Sequence, residues 1–145
     1  MVKISIPPDA YIKGPLRPGS VFYFPDQELT SPEPHYFIVL NINPFTDDIL
    51  LLVCSSSQCD AVKWRRREFP ETVVDISPAD YTRFTKDSVV DCNHPFPRTI
   101  AELVKKYDDK LLKPMPPMPM NIVEKLRTAM VKSDLVTEEL KDLIR

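Results

Sequence analysis

Sixteen prolines and two glycines share a chain of 145 residues, and this imbalance limits the fold more than any other feature. Proline fixes φ and lacks a backbone donor, so it interrupts helices and is kept out of central strands. With glycine confined to Gly14 and Gly19, turns fall to Pro, Asp, Asn and Ser. The result is short elements joined by stiff loops. Neither GxGxxG nor GxxxxGK can be written with these two glycines, so the phosphate-cradling loops are excluded, and neither nucleotide-dependent chemistry nor a cofactor is expected.

Hydrophobic residues at 43% and charged residues at 28% are ordinary globular usage, enough to build one core. A net charge of −2 gives no general attraction for nucleic acid, so any such site must be a local patch. The opening MVKISIPPDAYIKG has no continuous apolar segment, no run of about 18 apolar residues follows, and the cysteines number three. These features predict a cytoplasmic protein with reduced thiols and no membrane partner.

Along the chain, residues 1–18, with Pro7, Pro8, Pro15 and Pro18, read as an extended arm. SVFYFP at 20–25 reads as a short aromatic strand, followed by a polar loop over 26–35. HYFIVLNI at 35–42 and ILLLVCS at 49–55 are nearly continuous apolar runs joined by the turn NPFTDD, and they predict an antiparallel central pair. The interval SSQCDAVKWRRREFPE reads as a long charged loop, and TVVDI (72–76) and SVVDC (88–92) as further strands. Ser77 and Pro78 suit the cap and first turn of a short helix through Phe84.

After the break NHPFPR, helical spacing of Ile100, Leu103, Val104, Tyr107 and Leu111 predicts a helix beginning near Thr99. KPMPPMPM at 113–120 is a proline strap that cannot be helical. Asn121 then reads as the cap of a helix carrying Ile122, Leu126 and Met130, and Leu135, Leu140 and Ile144 mark a last short one. The expected organisation is an arm (1–18), a mainly β body (19–95) and a proline-broken helical tail (96–145), packed on the body or appended to it.

Gly19-Ser20-Val21-Phe22-Tyr23-Phe24, the loop into His35-Tyr36-Phe37-Ile38-Val39-Leu40, and the strand ending in Ser55 and Ser56 together resemble the PemK/Kid/MazF-type plasmid-maintenance toxins. The resemblance spans residues 18–95. It implies a small SH3-like barrel, here with a C-terminal helical extension. It also implies an endoribonuclease of a toxin-antitoxin system that acts on single-stranded RNA, commonly as a homodimer, and is blocked by an antitoxin peptide lying across the RNA groove. This chain has His35 where the family has its catalytic arginine, and Tyr36 where a proline follows.

Metal-independent cleavage through the 2′-hydroxyl needs a base, an acid and a cation. A histidine can supply either proton-transfer role, Arg65, Arg66 or Arg67 the cation and Ser55 a phosphate contact, and His35, Ser55 and Ser56 are the candidate catalytic residues. His35 can equally be a polar residue at the start of a strand, and the serines turn-forming caps. Lys63, Trp64, Arg65, Arg66 and Arg67 set a basic cluster beside aromatics, the pattern of a single-stranded nucleic-acid groove. A solvated hairpin, with the arginines paired to Glu68 and Glu71, is the alternative. Cys54, Cys59, Cys92 and His94 are four potential soft ligands for zinc, but their spacing matches no recognised zinc motif, and no metal site is assigned. Two functions stay open: single-stranded RNA binding with cleavage, or a catalytically silent module that binds a protein partner.

Overall fold

The two continuous apolar runs become neighbouring strands in the structure of the chain, a computed structural model that describes residues 10–14 and 16–145. β2 (His35–Val39) and β3 (Leu50–Ser56) pair antiparallel, with Phe37 opposite Cys54 and Val39 opposite Leu52. β1 (Val21–Phe24) lies on the other edge of β2, Tyr23 opposite Tyr36. Beyond β3, β5 (Ser88–Asp91) pairs with Ser55 and Ser56, and β4 (Val73–Ile76) pairs with β5.

Two further strands come from stretches read as breaks. β6 (Phe96–Arg98) runs beside Leu50–Leu52, and β7 (Lys113–Met115) lies on the free edge of β1. Both are three residues long and carry a proline, so neither shows the β-branched run that marks a strand. The architecture is mainly β: seven antiparallel strands in the order β4-β5-β3-β2-β1-β7, with β6 on β3. The pairings among the described residues do not join β4 to β7.

Antiparallel sheets often leave one face wet, and alternate apolar with polar residues for that reason. Here both faces are covered. Phe22, Phe24, Phe37, Val39, Leu50 and Leu52 point toward Ile12 of α1 (Ala10–Lys13) and Leu103 of α3 (Ile100–Asp108). Val21, Ile38, Leu40, Leu51 and Val53 meet Ile122, Val123, Leu126 and Met130 of α4 (Met120–Val131). Each fully buried side chain of this size contributes roughly 1.5–3 kcal/mol, so α4 carries a large part of the core energy. The buried Arg127 fastens it further, Nε donating to the Leu40 carbonyl at 2.7 Å and Nη2 to that of Asn41 at 3.0 Å. The segment 96–145 thus supplies two strands, the α4 wall of the core and part of the opposite wall through α3.

Several local expectations are corrected. Residues 1–9 and Pro15 lie outside the described residues, but Ala10–Lys13 is a helical turn rather than an extended arm, because Ile12 plugs into the core. The charged interval contains α2 (Cys59–Arg65), which buries only Val62 and therefore shows no apolar stripe. SPADYTRF forms successive turns rather than a helix. Ser77 Oγ accepts from the Asp80 N–H as a cap should, but Tyr81 and Phe84 then turn into the core. α3 starts after a capping box between Thr99 and Glu102 and stops before Leu111. α4 begins at Met120 behind Pro119, so Asn121 is inside the helix rather than its cap. The last helix, α5 (Glu138–Lys141), is a single turn capped by Thr137.

Candidate functional site

The pairing of β2 with β3 brings the first end of one strand beside the last end of the other. His35 and Ser56 each lie two residues beyond the Phe37–Cys54 pair. Around this edge is a groove of about 460 Å³ lined by His35, Ser55 and Ser56 together with Tyr23, Tyr36, Arg83 and Lys86. The last two come from the turns between β4 and β5, far along the chain from His35.

His35 Nδ1 lies 2.9 Å from the Glu33 carbonyl oxygen. A carbonyl only accepts, so Nδ1 carries the hydrogen, and a neutral ring keeps its lone pair on Nε2. That nitrogen can take a proton. Ser55 is only 5% exposed, and its strand pairing with Val90 fixes it. Ser56 Oγ accepts from the Gln58 N–H at 3.1 Å and shapes the turn into α2.

One wall of the groove is aromatic. The Tyr23 and Tyr36 rings sit 4.5 Å apart, and Tyr36 also meets Phe84 edge-on at 5.1 Å. Burial, then the neighbouring Tyr23, raises the Tyr36 phenol, and burial pushes Tyr81 up to about 12. Both stay protonated at neutral pH, and Tyr81 donates to the Pro116 carbonyl at 2.6 Å. Arg83 and Lys86 are exposed and have no carboxylate partner among the described residues.

The Lys63–Arg67 cluster sits elsewhere. The Lys63 ammonium binds Asp75 at 2.7 Å, which raises its pKa, first through the hydrogen bond and then through charge. Arg66 places Nε and Nη2 each 3.0 Å from Asp91 Oδ2. The Arg67 guanidinium lies 4.1 Å over the Trp64 ring. Arg65, Arg66 and Arg67 line a second groove of about 320 Å³ with Phe69, Lys132 and Leu135. This groove is at the far end of α2 from Ser57 and Gln58, which border the first. His35, Ser55 and Ser56 therefore meet, but Arg65–Arg67 do not join them. The cations that do, Arg83 and Lys86, escaped the sequence reading because only the tertiary fold brings them to His35.

The soft ligands stay apart, and no metal-holding group of His, Cys, Asp and Glu forms among the described residues. The Cys54 thiol contacts the Ser55 carbonyl, and burial pushes it up to about 12. Cys59 contacts the Asp87 carbonyl, and Cys92 is fully buried and its thiol raised by that burial. His94 stacks on Phe96 at 4.7 Å with Nε2 3.5 Å from Glu28. No protein-family model matches the chain, and neither does any curated protein.

Proposed function

We propose that this chain is a divergent PemK/Kid/MazF-type protein with an SH3-like barrel, and that its His35 groove binds and cleaves single-stranded RNA. The single observation that supports this reading is the meeting of His35 with a tyrosine pair and two cations, unpaired among the described residues, around one groove. Single-stranded nucleic acid is bound by cations that attract phosphates and aromatic faces that stack bases, and Arg83, Lys86, Tyr23 and Tyr36 supply both. Arg83 takes the charge-stabilising role that the family gives to the arginine at the start of its second strand.

In the proposed reaction His35 Nε2 removes the 2′-hydroxyl proton and the 2′-oxygen attacks the adjacent phosphorus. The 5′-oxygen leaves and takes a proton from solvent, and a 2′,3′-cyclic phosphate remains. Arg83 and Lys86 hold the phosphate as negative charge builds on it.

The test is incubation of end-labelled, mixed-sequence single-stranded RNA with chelator-treated protein, read for cleavage and for retention. Wild type cleaves and leaves cyclic-phosphate ends. His35→Ala still binds but cleaves about 10²-fold more slowly or worse, and Arg83→Ala with Lys86→Ala loses binding. Absence of both binding and cleavage in wild type overturns the proposal.

A further inference from the structure

The second groove, between the end of α2 and the turn after α4, differs in chemistry from the first. Its apolar walls are Phe69, 52% exposed, and Leu135, 66% exposed, with Trp64 also 66% exposed beside it. Its rim carries Arg65, Arg67 and Lys132, none of which forms an ion pair among the described residues. Three large apolar side chains left in water beside arginines that form no ion pair are the composition of a protein-binding hot spot.

The floor is built and rigid. Asn93 Nδ2 donates to Thr72 Oγ1 at 2.7 Å and to Asp91 Oδ1 at 2.8 Å, Ser133 Oγ donates to Asn93 Oδ1 at 2.6 Å, and Asp91 also holds Arg66. These inner groups already have partners, so recognition rests on the apolar walls and the rim cations. The groove needs little ordering before it binds.

Nucleic acid fits this chemistry poorly. Leu135 offers no face for a base to stack on, and the rim carboxylates Glu68 and Asp134 repel a continuous line of phosphates. A peptide can place single carboxylates beside Arg65 and Lys132 and an apolar side chain between Phe69 and Leu135. We propose that this groove docks a partner protein through an acidic peptide segment with an apolar anchor residue, independently of the His35 groove.

Trp64 is the only tryptophan and Arg67 lies on its ring, so its emission reports directly on the rim. The full chain is titrated with a short capped peptide of alternating glutamate and leucine, followed by Trp64 fluorescence and by anisotropy of a labelled copy. Binding is saturable in wild type. It weakens about tenfold in Leu135→Ser and in Lys132→Glu, and about tenfold when glutamine replaces glutamate in the peptide. Arg83→Ala with Lys86→Ala leaves it unchanged.

Should a groove variant fail to fold, the glutamine version of the peptide against wild type still decides. No saturable binding overturns the proposal, as does equal affinity for the glutamine peptide. Displacement of the peptide by a single-stranded RNA oligonucleotide whose own affinity falls in Lys132→Glu also overturns it, and assigns the groove to nucleic acid.

Discussion

Arg98 grips both carboxylate oxygens of Asp26, Nη2 at 2.9 Å from Oδ1 and Nε at 3.2 Å from Oδ2, across 72 residues of chain. Both side chains are nearly buried, and Arg98 Nη2 also reaches Glu28 Oε1 at 2.8 Å. The fork therefore ties the loop after β1 to β6. That loop continues through Ser31 and Glu33 to the wall of the His35 groove, so a structural ion pair helps to hold a functional edge.

Arg98→Met roughly keeps the volume but leaves the Asp26 carboxylate desolvated without the guanidinium that hydrogen-bonds it. Removing one member of such a buried pair costs about 3–5 kcal/mol. Urea unfolding of the variant beside wild type measures the loss, and a change below about 1 kcal/mol would show that the pair is dispensable.

The same pair predicts a pH dependence. Burial works to raise the Asp26 carboxyl, but hydrogen bonds from Arg98 and the Glu28 N–H, with the charges of Arg98 and Lys106, hold it below its ordinary value. A carboxyl lowered in the folded state adds stability that is complete above its unfolded pKa, about 3.9, and is lost as pH falls through the lower folded value. The unfolding free energies of wild type and Asp26→Asn should therefore converge as pH drops from about 5 to about 2. A gap that stays constant over that range would remove Asp26 from the acid response.

Gly19 adopts φ of +87°, accepts from the Met118 N–H and donates to the Val39 carbonyl, each at 2.8 Å. A Cβ there would lie 2.9 Å from the Met118 carbonyl oxygen and 3.0 Å from a Val123 methyl. Gly19→Ala combines about 1–2 kcal/mol of left-handed backbone cost with that clash. A melting temperature lowered by about 4–8 °C is expected, read by circular dichroism. An unchanged melting temperature would mean that the strap and α4 yield without cost.

β2 and β3 were legible because Phe37–Leu40 and Leu50–Val53 are buried on both faces, and such burial writes itself as an unbroken apolar run. α2 was not, since one buried valine among charged neighbours leaves no periodicity to read. Pro97 and Pro114 hid β6 and β7. At the site, strand ends placed His35 and Ser56 together through local pairing, which sequence can indicate. Arg83, Lys86 and the Asp26–Arg98 fork depend on contacts between distant segments, and no single sequence carries a local sign of those. The Lys63–Arg67 cluster misled for a related reason: composition shows the cations but not Asp75 and Asp91, which the sheet sets against two of them.

That difference separates the two basic clusters in solution. A cation that meets a phosphate releases a counterion, and each lost contact reduces the slope of log affinity against log salt by about 0.7 on a single strand. Arg83→Ala and Lys86→Ala should each lower the slope by about that amount, because neither side chain has a carboxylate partner among the described residues to give up in order to bind. Lys63→Ala should leave the slope unchanged, as its ammonium is already committed to Asp75. Arg66→Ala should also leave the slope alone and lower stability instead, by unpairing the half-buried Asp91. Titrations of one RNA oligonucleotide at several salt concentrations measure all four slopes, and the reverse pattern would move the RNA path to α2.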